Sequence, residues 1–468
     1  MSEFSMTVGG ERLAGSGSFE VVDPATGKPF ASAPEAGRED LDRAMDAAAS
    51  AFPAWRRDEA GRRAALRGAA SRLREALPDL APLLTREQGK PLARAREEIV
   101  GCIAWFEYAA AQEIPVEVLR DDAEARIEVR HPPMGVVAAI TPWNYPLLLA
   151  VWKVAPALRA GNTVVLKPSP FTPLTTLALG DLLRNVFPPG VLNVVSGGDE
   201  LGAWMTSHPV PRKISFTGSV ATGVRVAGSA ARDLKRLTLE LGGNDAAIVL
   251  PDAEPGRVAR DLFGGAFANS GQVCSAIKRL FVHESRYDEM VEALAGLARG
   301  VRMGPGLEPD VELGPVNNLP QLERVEALVE DARAAGARIV CGGRRREGEG
   351  YFYEPTIVAD AACGMRLVDE EQFGPALPVL RYRDPEEALA RANDTPFGLS
   401  GSVWSADPDR AAELAGRLEC GTAWVNQHLV ILPFTPFGGH KHSGVGVENG
   451  LPGLLGFTES QTLHIRKA

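Results

Sequence analysis

The sequence predicts an α/β protein of two or three domains, and three observations carry that reading. Its 468 residues exceed what one compact core accommodates. Beyond residue 134, short β-rich apolar runs alternate with helical patterns, as βαβ units on a parallel sheet do. The composition is 45% hydrophobic and 24% charged, which separates the chain from disordered ones.

The first hundred residues read mostly helical. Leu41, Ala44, Met45, Ala48 and Phe52 fall on one face of a helix over 38–55. Leu66, Ala69, Ala70, Leu73 and Leu77 repeat the spacing, and Ile99, Ile103 and Phe106 extend it. Strands are expected at 135–141, 163–167, 191–195, 213–216 and 246–250, with helices over 175–187 and 222–234. A second α/β block runs from about 243 to 436, with strands at 279–283, 377–382, 401–404 and 422–426 and helices over 287–299 and 321–335. Two charged, alternating segments stand apart, 126–131 and 461–467, and can pair as a small β extension.

A net charge of −10 argues against a non-specific nucleic-acid binder and favours small-molecule partners. No apolar stretch reaches the roughly 18–20 residues that span a bilayer, and the N-terminus lacks a signal-peptide layout. A cytoplasmic location without a membrane partner is therefore expected. The five cysteines (Cys102, Cys274, Cys341, Cys363 and Cys420) are scattered, giving neither a disulfide framework nor a metal cluster.

Several residues carry chemistry. A lone cysteine is usually a small buried hydrophobe. Cys274, however, follows the turn-like Asn269-Ser270-Gly271-Gln272 and precedes Lys278 and Arg279. A thiolate attacks carbonyl carbon well and leaves an activated thioester. Glu240 sits between leucines and before Gly242-Gly243; if buried, it becomes a general base for water, and the alternative is an exposed strand end. Asn144, in Thr141-Pro142-Trp143-Asn144-Tyr145-Pro146, is either a turn former or a hydrogen-bond donor to an oxyanion. Phe216-Thr217-Gly218-Ser219 follows a strand and opens a helix, where a pyrophosphate would sit; alone it is weaker than a GxGxxG fingerprint. Lys167 ends a strand where sheet ligands bind, with a plain surface lysine as the alternative.

In order and spacing these segments resemble the aldehyde dehydrogenase superfamily along essentially the whole chain. The matching motifs are Thr85-Arg86-Glu87-Gln88-Gly89-Lys90-Pro91, Pro142-Trp143-Asn144-Tyr145-Pro146, Leu166-Lys167-Pro168-Ser169 and Phe216-Thr217-Gly218-Ser219. They continue with Glu240-Leu241-Gly242-Gly243, Ser270-Gly271-Gln272-Val273-Cys274, Glu371-Gln372-Phe373-Gly374-Pro375 and Pro436-Phe437-Gly438-Gly439.

The resemblance implies a Rossmann-type cofactor domain (1–118 and 134–242), an α/β catalytic domain (243–440) and a β oligomerisation arm (119–133 and 455–468). It makes Cys274 the nucleophile and Glu240 the base for deacylation, with Asn144 and the Cys274 N–H as the oxyanion hole. Thr141, Trp143, Lys167, Ser169, Gly218, Ser219, Leu241, Gln321, Glu371 and Phe373 would bind NAD or NADP. Within that set Lys167 would meet the adenosine ribose, Gly218 and Ser219 the pyrophosphate, Glu371 the nicotinamide ribose and Phe373 the nicotinamide ring. Glu448 matches a second glutamate that relays protons.

One departure bears on the cofactor. Pro170 stands where many NAD-preferring members carry a ribose-gripping glutamate, so NADP is admitted beside NAD, which stays the leading expectation. Tyr145, Trp152, Val273, Ser275, Phe437 and the apolar loop 427–434 should line the aldehyde tunnel. No arginine stands ready for a substrate carboxylate, so a medium-chain aliphatic or aromatic aldehyde is expected. The alternatives are a semialdehyde or betaine-aldehyde specialist, or a non-catalytic scaffold. The paired outlying strands imply a homodimer or homotetramer.

Overall fold

The five-residue apolar runs of the middle third become strands buried on both faces, which only a parallel sheet covered by helices provides. The computed structural model describes residues 4–467. The first three residues of the expected cofactor-binding portion and the last of the expected arm lie outside them.

The first sheet has eight strands, in the order Glu11–Leu13, Met6–Val8, Leu192–Val194, Thr163–Lys167, Val136–Ile140, Lys213–Thr217, Arg236–Glu240, Gly444–Val445. Its five central strands are parallel. Register pairs Ile140 with Lys167 and Thr217 with Glu240, so these strand ends share one carboxyl edge. Helices Arg38–Trp55, Glu59–Gln88, Leu92–Ala111 and Pro146–Ala160 cover it. Asp58 caps the second by accepting from the Gly61 N–H at 2.8 Å. That helix stops at Gly89, whose φ of +100° is left-handed and whose Cβ would meet Pro315 and Pro24.

The chain leaves Glu240, passes Gly242 and Gly243, and enters the second sheet at once through Asp245–Val249. That sheet runs Arg338–Cys341, Thr356–Ala359, Ala376–Tyr382, Ile277–His283, Asp245–Val249, Ser400–Trp404, Thr422–Val425. All its pairs are parallel except the first. Asp245 pairs with Ile277, so Cys274 lies just ahead of this sheet's amino edge. The carboxyl edge of one sheet therefore meets the amino edge of the other around residues 240–245.

The two outlying segments do pair: Gln461–Arg466 lies antiparallel to Ala125–Arg130, and Glu117–Asp121 adds a third strand. The N-terminal strands Met6–Val8 and Glu11–Leu13, and the hairpin Gly17–Asp23 with Lys28–Glu35, carry no period of their own. Met6–Val8 pairs with its neighbour Glu11–Leu13 and joins the sheet through Thr7 against distant Val194; three residues are too few to show a period, which is why pattern reading passes over it. Gly444–Val445 is likewise a return strand, held by Leu239 and Glu240.

Candidate active site

Helix Pro255–Phe267 ends in a tight turn in which Asn269, Ser270 and Gly271 all take positive φ, at 50°, 56° and 74°. Two of the three carry a Cβ, so the turn is strained and must be held by its surroundings. A Cβ on Gly271 would sit 2.2 Å from the Gly374 carbonyl oxygen. This turn delivers Cys274 half-buried into the gap between the sheets. Lys278 Nζ donates to the carbonyls of Val273 at 2.9 Å and Cys274 at 2.5 Å. Burial pushes the Cys274 thiol up to about 12; Lys278 opposes this, while Asp245, Glu240 and Glu371 add to it.

Asn144 lies beyond the carboxyl end of Val136–Ile140 and is 2% exposed. Its Nδ2 donates to the Gln272 carbonyl at 3.0 Å, and its own carbonyl accepts from Asn269 Nδ2 at 3.1 Å. An amide nitrogen has two hydrogens. The bond to Gln272, two residues before the cysteine, leaves the other N–H without a partner among the described residues.

Glu240 closes Arg236–Glu240, two strands along the same sheet from Val136–Ile140; it is 4% exposed, and neither carboxylate oxygen has a partner among the described residues. Burial raises its pKa well above the ordinary value, the Glu448 charge raises it further, and Lys153 opposes both. Glu448 Oε1 accepts from Lys153 Nζ at 2.5 Å, and Lys153 also donates to Thr217 Oγ1 at 2.7 Å. Both side chains are wholly buried. Lys153 escaped the sequence reading, although a lone charge inside the apolar run of Pro146–Ala160 was the available signal.

An open cleft of about 1400 Å³ runs along this junction. Cys274 and Asn144 line it, as do seven of the expected cofactor residues: Trp143, Gly218, Ser219, Leu241, Gln321, Glu371 and Phe373. Trp143 and Phe373 meet edge to face at 5.2 Å. Glu371 accepts from the Gly243 N–H at 3.0 Å and lies 3.3 Å from Lys278 Nζ. Gln321 donates to the carbonyls of Gln372 and Phe373, at 2.8 and 3.1 Å, and so supports a loop in which Phe373 has φ 47°. Ser219 caps the helix Val220–Ala231, leaving other first-turn N–H groups open to the cleft.

Thr141, Lys167 and Ser169 do not line that cleft. Thr141 is buried and donates its N–H to the Lys167 carbonyl at 3.0 Å. Ser169 Oγ accepts from the Phe171 N–H at 3.3 Å. Burial pulls the Lys167 ammonium down to about 8, and among the described residues Nζ donates only to the Pro168 carbonyl at 3.2 Å. Pro170 lines a neighbouring groove with Phe171 and Tyr351. The cleft's length, its helix N-terminus and its aromatic pair suit a dinucleotide. No group of three or more His, Cys, Asp or Glu among the described residues could hold a metal ion.

On its other side Cys274 packs against an apolar cluster of Leu149, Trp152, Leu399 and Phe437, joined by Tyr145 and Ile431. Trp152 stacks on Trp105 at 5.4 Å and meets Phe437 edge to face at 5.7 Å. Val273 is buried, and Ser275 is buried too, its carbonyl 2.8 Å from His428 Nε2. Trp105, Leu149 and Leu399 were not foreseen; their helices and strands are remote in sequence and converge only here. Among the described residues no helix is long and apolar enough to cross a membrane.

Known proteins resemble this chain along nearly its whole length. The aldehyde dehydrogenase family model matches residues 13–463. The chain is 40% identical to retinaldehyde dehydrogenase 3 of Rattus norvegicus, over 96% of this chain and 90% of that one. Its structure resembles a mutant aldehyde dehydrogenase from Bacillus cereus, with TM-score 0.97 and 36% identity over 100% and 97% of the two chains. It also resembles betaine aldehyde dehydrogenase from Staphylococcus aureus in complex with NAD+, with TM-score 0.96 and 33% identity over 99% and 95%.

Proposed function

The chain belongs to the aldehyde dehydrogenase family, and we propose that it oxidises a medium-chain aliphatic or aromatic aldehyde to the acid through a thioester on Cys274. The observation that carries this reading is Glu240, a buried carboxylate with both oxygens unpartnered, one sheet edge away from the cysteine. A purely structural glutamate would be paired or solvated.

The Cys274 thiol passes its proton to water in the cleft as its sulfur forms a bond to the aldehyde carbon; the carbonyl electron pair moves onto oxygen and returns to re-form the C=O bond when hydride leaves. The free N–H of Asn144 and the Cys274 main-chain N–H stabilise that oxyanion. NAD or NADP, when bound, supplies the acceptor for the hydride that leaves the same carbon. Glu240 then takes a proton from water as its oxygen attacks the thioester, and the thiolate departs with its electron pair. Lys153 and Glu448 offer the proton a buried route away from Glu240.

Gly218, Ser219 and the helix they open would hold the pyrophosphate, Glu371 the nicotinamide ribose, and Trp143, Leu241, Gln321 and Phe373 the walls around the ring. Lys167, with Thr141 and Ser169 around it, would serve the adenosine ribose once the side chain swings from the Pro168 carbonyl. Pro170 sets no carboxylate against a 2′-phosphate, which supports NADP use beside NAD. On this reading the first sheet carries the cofactor and the second the nucleophile. The three-stranded arm exposes Val118, Leu119 and Ile465, which supports a contact between copies in a dimer or tetramer.

The cluster at Cys274 is aliphatic and aromatic, which supports apolar aldehydes. Its aromatic rings favour betaine aldehyde as a second reading, because a quaternary ammonium binds ring faces. Nicotinamide reduction should be followed with hexanal, benzaldehyde, betaine aldehyde and succinic semialdehyde, with NAD or NADP, for the wild type and Cys274→Ala. Hexanal and benzaldehyde should lead, and all activity should vanish in the variant. Succinic semialdehyde in first place would overturn the substrate class, and an active Cys274→Ala would overturn the mechanism.

A further inference from the structure

The segment Thr85-Arg86-Glu87-Gln88-Gly89-Lys90-Pro91 takes no part in the chemistry above, yet all of it except Arg86 is buried. Lys90, and Glu98 in the helix Leu92–Ala111, form an ion pair with no exposed side-chain surface. Such a pair is weak support for a fold, because well-packed apolar residues of the same volume serve as well. Its other hydrogen bonds assign it a different task.

Lys90 Nζ donates to the main-chain oxygen of Asn144 at 2.9 Å and stands 3.8 Å from the Tyr145 ring centroid. Glu98 Oε1 accepts from the N–H groups of Leu147 and Leu148, at 3.0 and 3.2 Å, in the first turn of Pro146–Ala160. The pair thus grips the Asn144-Tyr145-Pro146 turn on both sides. The Asn144 carbonyl also accepts from Asn269 Nδ2, so both its lone pairs are engaged. Asn317 ties the same segment to the nucleophile's turn: its Nδ2 donates to the Gln88 carbonyl at 3.1 Å, and its N–H to Gln272 Oε1 at 2.8 Å.

We infer that Lys90 and Glu98 are positioning residues for Asn144: their buried ion pair holds the Asn144 main chain in register with the Cys274 turn, and so aims the amide at the oxyanion. The inference rests on the role proposed above for Asn144. An oxyanion donor acts only if it is fixed before charge develops, and a displacement of about 1 Å is enough to lose on the order of 100-fold in rate. The Asn144 side chain itself has one bond, to Gln272, so its aim depends on the main chain that Lys90 holds.

The test is a double-mutant cycle read by single-turnover nicotinamide reduction at saturating aldehyde and cofactor, with cofactor binding measured separately. Lys90→Met should slow the turnover about tenfold or more where Asn144 is present, and less than about twofold in Asn144→Ala. Cofactor Kd should stay within about twofold throughout. If Lys90→Met does not accumulate as folded protein, Lys90→Met/Glu98→Gln removes both charges at nearly constant volume and is read in the same way. Equal slowing in both backgrounds means that the pair only supports the fold, and overturns the inference while leaving Asn144 its role. An Asn144→Ala enzyme with wild-type turnover removes that role and the inference together.

Discussion

Among single residues, Glu240 is the one whose environment makes the sharpest demand. Burial and the nearby Glu448 raise its pKa, so it stays protonated to a higher pH than an ordinary carboxyl and can act as base only above that point. Hydrolysis of the thioester should therefore fall off on the acid side at a pH above the usual glutamate range. Lys153→Met removes the opposing positive charge and should move that limb further up. In Glu240→Gln the limb should disappear and steady-state turnover should drop by about 100-fold or more, while a single burst of nicotinamide reduction survives. A pH profile of kcat beside a rapid-mixing burst measurement checks both; a Glu240→Gln enzyme with normal steady turnover would exclude the carboxylate as base. In the sequence, Glu240 between leucines and before two glycines still left an exposed strand end as the alternative, and only the resemblance of its motif to the family singled it out. Lys153 left one sequence trace, a lone charge in an apolar helix, and Trp105 none; what gives each its place is a partner on another element, Glu448 for the one, Trp152 and Asn449 for the other.

Among the elements, the strained turn Asn269-Ser270-Gly271 decides where the cysteine stands. Gly271 is required twice over, by its φ of +74° and by the approach of the Gly374 carbonyl. Gly271→Ala must push that carbonyl away, and with it the loop that carries Phe373 and Glu371. It should lower the unfolding free energy by about 1–3 kcal/mol and reduce turnover with either cofactor. A denaturant titration and a turnover assay measure these; an alanine variant with unchanged stability would mean that the loop yields freely. The long helices and the all-buried strands were readable from period and run length, with bounds within a few residues. The short N-terminal strands and Gly444–Val445 were not, since two or three residues hold no period and what ties them into the sheet, Val194 and Leu239–Glu240, lies far along the chain.

For the whole molecule, the arm is the feature that reaches away from both sheets. Its C-terminal strand, Gln461–Arg466, pairs over six positions with Ala125–Arg130 and leaves Ile465 exposed. Removing 461–468 strips that strand and opens a bare sheet edge, while leaving every residue proposed for the cleft in place. The truncated protein should elute as a smaller species, or as aggregate, beside the full chain in size-exclusion chromatography with light scattering. An unchanged oligomer would place the contact between copies elsewhere.

The sequence by itself determined the α/β class and the family, and it singled out the residues proposed as nucleophile, base and amide, because each is written in a contiguous motif. It also showed that Asn144, Glu240 and Cys274 stand near strand or turn ends, where side chains reach a ligand. Only the tertiary structure decided that two sheet edges face one another at residues 240–245, so that three motifs from separate elements share one cleft. It alone decided that Lys167 lies outside the cleft lining, and that Lys90 and Glu98 brace the Asn144 turn. Local pattern records the backbone's period and turn chemistry. Burial and partnership are set by packing between segments far apart in sequence, and no window along the chain contains them.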